Sequence, residues 1–229
     1  MTNALTLPQL LRLLTWASPA FPTGAFSYSH GVEFAVEAGL VGNAAELQDW
    51  IGWIARHGAL HADAVLLAHA YRAAETGDDG ALDEIAALAA AMRGTAEMAL
   101  ESMQQGASFF DTAQAVWPNE RMAAFLKRNG AKPALPIAVA LACTGAIPLE
   151  ETLAAYLHAA VANLVSAGVR LIPLGQTDGQ RSIVALERVV TESVGRALAT
   201  SLDDLASAAP MVDWTSMRHE TQYTRLFRS

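Results

Sequence analysis

The sequence predicts an all-α protein: one compact body of about eight to ten helices, followed by a C-terminal tail. Three observations carry that expectation. Apolar residues recur at helical spacing along most of the chain, and no run keeps the two-residue alternation of a strand. Helix caps and breakers punctuate the pattern at intervals that suit helix–helix connections. Hydrophobic residues make up 52% and charged residues 17%, against about 25% charged in ordinary soluble domains. Helices of that composition are apolar around much of their circumference. They are either central in the fold or covered by a partner.

Leu7, Leu10, Leu11 and Leu14 form the apolar face of a first helix, with Pro8 in its first turn, where a missing N–H costs little. Pro19 and Pro22 stop it, leaving residues 18–27 as a loop rich in proline, glycine and aromatics. A second helix is predicted over 28–38, ended by Gly39. Asn43 and Glu46 have capping-box spacing and open a long helical region over 44–74 that can break at Gly58. After a loop at 76–80, helices are predicted over 81–92 and 95–116. Trp117-Pro118-Asn119 separates these from a short helix ending near Arg128. An apolar helix follows over 135–144. Glu150 and Glu151 then sit in the first turn of a helix ending near Ala167, with Gly168 as its cap. Residues 170–175 are the one strand-like stretch. Asp178 is expected to cap a helix over 179–199, followed by a turn at 202–206. The tail shows no clean period. With no internal repeat and no linker, the expected division is a helical body, 1–209, and an interaction tail, 210–229.

Charge and cysteine content narrow the function classes. A formal net charge of −8 repels a phosphate backbone, and no basic stripe offsets it, so no nucleic-acid partner is expected. Cys143, the single cysteine, lies in an apolar stretch and implies no internal disulfide, which suits a cytoplasmic location. The N-terminus does not read as a signal peptide, and the apolar stretch 134–147 is too short to span a bilayer, so no membrane association is expected.

Six histidines are the natural place to look for chemistry. His57 and His61 are four apart, and His69 is two turns further, so one helix face could present them. However, a structural metal site needs about four ligands and a catalytic one about three, so no metal site is assigned. His158 reads as a packing residue. The glycines of 171–181 lack the Walker A lysine, and Ser27 and Ser29 lack a nucleophile elbow, so no catalytic residue is expected and the chain is not read as an enzyme.

Two segments stand out. Residues 18–31 place Phe21, Phe26 and Tyr28 among Pro19, Pro22, Gly24 and Gly31. They form either a loop plugging the chain's own core or a rigid aromatic contact surface, with Tyr28 as the best anchor. Residues 216–229 interleave Arg218, Arg225 and Arg228 with Tyr223, Leu226 and Phe227. That tail either docks on its own domain or binds a second chain.

The two segments, SPAFPTGAFSYSHGVE (18–33) and SMRHETQYTRLFRS (216–229), resemble the family of urease accessory proteins called UreF. The resemblance implies a cytoplasmic, non-enzymatic chaperone that forms a homodimer and binds the accessory protein UreD, also called UreH. It implies recruitment of the nickel-carrying GTPase UreG to the urease apoprotein and GTP-dependent nickel delivery, with nickel handled by the complex and no cofactor bound stably. With nickel as the cargo, a nickel-binding metallochaperone using His57, His61 and His69, whose imidazoles suit that ion, is the alternative function, and direct modulation of UreG turnover is a further alternative. By the same resemblance, UreD/UreH contact falls on Arg218, His219, Glu220, Tyr223, Arg225, Leu226 and Phe227. A dimerisation or partner-presentation role falls on Phe26, Tyr28, Ser29 and His30.

Overall fold

The computed structural model describes residues 5–229. Among them are eleven α-helices and no strand. In order they are α1 (Leu7–Trp16), α2 (Val32–Glu37), α3 (Ala44–His57), α4 (Ala59–Thr76), α5 (Asp79–Ala91), α6 (Ala96–Val116), α7 (Glu120–Asn129), α8 (Leu135–Cys143), α9 (Leu149–Leu171), α10 (Gln176–Ala199) and α11 (Pro210–His219). A single 3-10 turn, Ala25–Ser27, lies in the first long loop.

Side-chain caps start five of these helices. Thr6 caps α1, and the side chain of Gln9 accepts the Thr6 N–H at 2.8 Å, closing a capping box. Asn43 accepts the Glu46 N–H at 3.1 Å to start α3, and Asp78 accepts the Ala81 N–H at 3.0 Å to start α5. Thr95 and Asn119 do the same for α6 and α7.

The core explains part of the apolar composition. α8 is buried on nearly every side, through Ile137, Ala138, Ala140 and Leu141, and α4 buries every residue from Leu60 to Ala68. α6 lies close along α8 because residue 106 is glycine: a β-carbon there would sit 2.3 Å from the Pro133 carbonyl oxygen. α3, α9 and α10 also pack against α4. By length and composition α9 is apolar enough to cross a membrane, with a mean hydropathy of 1.4 over its most apolar window. Half of that window is buried in the body, where α9 packs against α2, α3, α4, α8 and α10.

Several sequence expectations are corrected. The strand-like stretch 170–175 is the end of α9 and the short loop after it. Gly168 is not a cap. It lies inside α9, where a β-carbon would meet the Leu47 side chain at 2.3 Å, so its smallness serves a helix crossing. Gly175, not Asp178, occupies the N-cap of α10, and Asp178 sits in the first turn and accepts the Gly175 N–H at 3.4 Å. α2 starts only at Val32, because Tyr28 is extended and His30 and Gly31 are left-handed, with φ of 56° and 79°. Gly58 does divide 44–74 into two helices. The tail contains the eleventh helix, α11. Its helical period was hidden because its solvent face is also apolar, carrying Met211, Trp214 and Met217.

Candidate functional site

The two segments singled out in the sequence meet in space and form one site. Ser29 and Ser229, 200 residues apart in sequence, are joined by main-chain and side-chain bonds. The Ser29 N–H donates to the Ser229 oxygen at 2.8 Å, and the Arg228 N–H donates to the Ser27 oxygen, also at 2.8 Å.

The loop divides its aromatics between two tasks. Phe21 is a core plug, its ring 5.2 Å from that of Phe109 and 6.5 Å from that of Trp117. Phe26 faces solvent at 67% exposure. Tyr28 is buried, donates its hydroxyl to Gln104, and has that hydroxyl's pKa raised by burial. Ser29 is buried, and its Oγ accepts the Glu33 N–H at 3.2 Å. His30 places Nδ1 3.2 Å from Glu101 Oε2. Burial opposes charging this imidazole, but the Glu101 carboxylate, helped by Asp63, outweighs burial and holds its pKa above the usual histidine range. Gly31 is required twice over: its φ is left-handed, and a β-carbon would lie 2.8 Å from Thr215 Oγ1, where α11 crosses.

The tail is seated by two carboxylates from the body, Glu33 on α2 and Glu97 on α6. His219 is wholly buried between them, with Nε2 3.0 Å from Glu33 and Nδ1 2.7 Å from Glu97. Glu33 also accepts the N–H groups of Leu226 at 2.6 Å and Phe227 at 2.9 Å. Arg225 donates to the second oxygen of Glu97 at 2.8 Å. Phe227 is buried under the Arg170 guanidinium, 4.3 Å from the ring centre, and Arg170 also donates to the Phe26 carbonyl at 2.9 Å. Ser229 Oγ donates to Glu101 at 2.9 Å. Thr95 and Ser216 share a buried hydroxyl bond of 2.7 Å.

This geometry sorts the residues that the resemblance picked out. His219 and Phe227 point inward, with Tyr28, Ser29 and His30. Arg218, Glu220, Tyr223 and Leu226 face solvent, and Arg225 lies at the edge. Around the outward residues lies an apolar face that sequence reasoning missed: Met211, Trp214 at 41% exposure and Met217 at 50%. Trp214 stands edge-on to Phe34 at 5.5 Å, and Arg218 lies 5.7 Å from the Phe34 ring. Glu33, Glu97 and Arg170 were also missed. Glu33 ends the first motif and is visible there. Glu97 and Arg170 sit in ordinary amphipathic helices, and only the fold brings them to the tail.

The three histidines of the metallochaperone reading do not assemble. Gly58 leaves His57 at the end of α3 and His61 in α4, and His69 Nε2 lies 2.9 Å from the Thr200 carbonyl. Burial lowers the His61 pKa, with Arg196 and His57 adding to the effect. Among the described residues, no three His, Cys, Asp or Glu side chains are grouped to hold a metal ion. A cavity of about 370 Å³ lies behind the loop, walled mainly by α6 and α9. At its polar end the Arg93–Asp63 pair, 2.7 Å apart, is buried and capped by the Tyr156 hydroxyl at 2.8 Å. Burial raises the Tyr156 pKa well above the ordinary phenol range, and Asp63 adds to the rise.

A family model described as UreF matches residues 41–187. The chain is 53% identical over 221 residues to a protein named "Urease accessory protein UreF" from Rhodopseudomonas palustris (strain HaA2), covering 96% of this chain and 93% of that one. Proteins of the same name from Granulibacter bethesdensis and Bradyrhizobium diazoefficiens are 52% and 49% identical. Each match covers 96% of this chain, and 94% and 91% of the respective relative.

Proposed function

Because the chain belongs to the UreF family of urease accessory proteins, we propose that it is the scaffold of a cytoplasmic urease maturation complex. In this reading it holds UreD/UreH on the face built by α11 and the tail. The pair then presents UreG to the urease apoprotein, and GTP-dependent delivery places nickel, the cargo, in the urease active site.

One observation carries the reading. Docking of the tail turns His219, Phe227 and Ser229 inward and leaves Met211, Trp214, Met217, Tyr223 and Leu226 exposed, with Arg218. Aromatic, methionine and arginine side chains are the enriched components of protein interfaces. This split explains how one short tail serves both its own domain and a partner. The inward residues Tyr28, Ser29, His30, His219 and Phe227 act by shaping the surface, and the outward ones act by contact. A second apolar area lies on α1, where Leu7, Leu10, Leu11 and Leu14 are exposed. α1 and Phe26 border the same cavity, and the homodimer contact is assigned to that area.

The test is co-purification with UreD/UreH. Trp214→Asp with Met217→Asp places charge at the centre of the proposed contact without touching the carboxylates beneath it. A central anchor is worth about 2 kcal/mol or more, roughly a thirtyfold loss of affinity. Helical content by circular dichroism is expected to stay unchanged. Undiminished binding by the double variant would overturn the assignment.

A further inference from the structure

We propose that seating the tail on the body takes up one proton, held in the Glu33–His219–Glu97 clamp. The argument is a count of hydrogens. Nδ1 of His219 lies 2.7 Å from a Glu97 oxygen, and Nε2 lies 3.0 Å from a Glu33 oxygen. Each contact needs one proton between nitrogen and oxygen. A neutral imidazole carries one N–H, and an ionised carboxylate carries none. Two neutral-pH carboxylates facing both ring nitrogens therefore require a second proton. Whether it sits on the ring or on a carboxyl oxygen, the docked cluster holds one proton more than a neutral histidine beside two carboxylates.

The surroundings favour keeping that proton. The side chains of His219, Glu33 and Glu97 are 0%, 8% and 10% exposed, so water cannot replace a missing bond. With His219 protonated, two negative and two positive charges balance: Glu33 and Glu97 against His219 and Arg225. The other charged groups around the clamp have their own partners or face water. Glu37 on α2 receives Gln222, and Glu101 on α6 is taken by His30 and Ser229. On the tail side, Arg218 lies by Phe34, Arg228 lies by Tyr28, and Glu220 is exposed. Asp213 on α11 lies against Gly94.

The sign follows from linkage. A histidine in an undocked, hydrated tail loses its proton near about pH 6.5. Above that pH, docking must take a proton from solution, so the docked fraction weakens about tenfold per pH unit until the clamp itself gives the proton up. Between about pH 6.5 and the carboxylate range near about 4, docking is insensitive to pH. The partner face on α11 and the tail exists only in the docked state. Under the scaffold reading, which this consequence alone rests on, alkaline conditions would therefore weaken partner binding.

The experiment uses the full chain with no partner, so its outcome is independent of the co-purification test. Amide hydrogen exchange over residues 216–229 is measured from about pH 6 to about pH 9 and corrected for intrinsic exchange. Protection of Leu226 and Phe227, whose N–H groups bind Glu33, should fall about tenfold per pH unit above about 6.5, while α4 and α8 hold constant. His219→Gln cannot take up a proton, so its tail should show no such slope. Nitrogen-15 shifts of the His219 ring and carbon-13 shifts of the Glu33 and Glu97 carboxyls in the native protein give a second readout, with the extra hydrogen expected on the ring or on one of the two carboxyls at neutral pH. A flat wild-type profile would overturn the proposal. So would an unchanged slope in the Gln variant, or a ring in a single neutral tautomer with both carboxyls ionised.

Discussion

Glu33→Gln is the sharpest perturbation of the site, because three bonds converge on that carboxylate. They come from His219 at 3.0 Å, Leu226 N–H at 2.6 Å and Phe227 N–H at 2.9 Å, on a residue only 7% exposed. A glutamine keeps the shape and one acceptor oxygen. Its amide nitrogen replaces the other oxygen, so one tail donor faces a second donor. Bonds to charged groups contribute about 1.5–3 kcal/mol each, and removing one partner of a buried ion pair costs about 3–5 kcal/mol. With the retained acceptor discounted, docking of the tail should weaken by about 3 kcal/mol, which is roughly a hundredfold in the opening equilibrium. Body packing does not depend on Glu33, so opening is local and the thermal midpoint should move little. Limited trypsin digestion reads the opening directly, since Arg218, Arg225 and Arg228 all lie in the freed segment. The control is Glu37→Gln, which removes the charge from an exposed residue that meets only Gln222 and should change tail cleavage by less than about 1 kcal/mol equivalent. A Glu33→Gln tail cleaved as slowly as the wild type would refute the claim that this carboxylate seats it.

Two further outcomes test the body. In Gly106→Ala the new β-carbon meets only backbone, 2.3 Å from the Pro133 oxygen and 2.6 Å from Leu135 N. A loss of about 1–3 kcal/mol or more in urea denaturation is expected, whereas Gly195→Ala, on an open part of α10, should be neutral or stabilising by up to about 1 kcal/mol. Cys143 is buried and its thiol is pushed up to about 12 by that burial, so a maleimide should label the native protein only as fast as it unfolds. Because the folded thiol ionises later than the unfolded one, this group's contribution to stability holds below about pH 8.5 and is lost as pH rises toward that folded value.

The helical fold was legible because caps are local. Thr95, Asn119 and Asn43 each accept an N–H two or three residues on, and those spacings are readable in one dimension. The errors fall where a residue's reason is tertiary. Gly168 reads as a helix stop, but it is small because Leu47 crosses there. The α11 helix was unreadable because a helix with one face on its own domain and another apolar face outward shows no polar contrast. The site follows the same division. Both motifs are legible as unusual runs, but their meeting is not, nor is the part played by Glu97 and Arg170. Those are single residues on amphipathic helices, and only the folded chain gives them Arg225, His219 and Phe227 as partners.

The low charged fraction left two explanations open, encased helices or a covered surface, and the structure shows apolar residues both encased and exposed. α4 and α8 absorb one share, being buried nearly all round. The other share sits outside, on α1 and on α11 with the tail. The tail had likewise presented a choice between docking on its own domain and binding another chain. Under the proposed function the first is the condition for the second. With His219, Phe227 and Ser229 drawn in against Glu33, Arg170 and Glu101, the exposed apolar residues Trp214, Met217, Tyr223 and Leu226 belong to a docked segment. An undocked tail would lose much more conformational entropy on meeting a partner. Under the proposed function the buried clamp therefore preorganises the exposed residues of α11 and the tail for a partner.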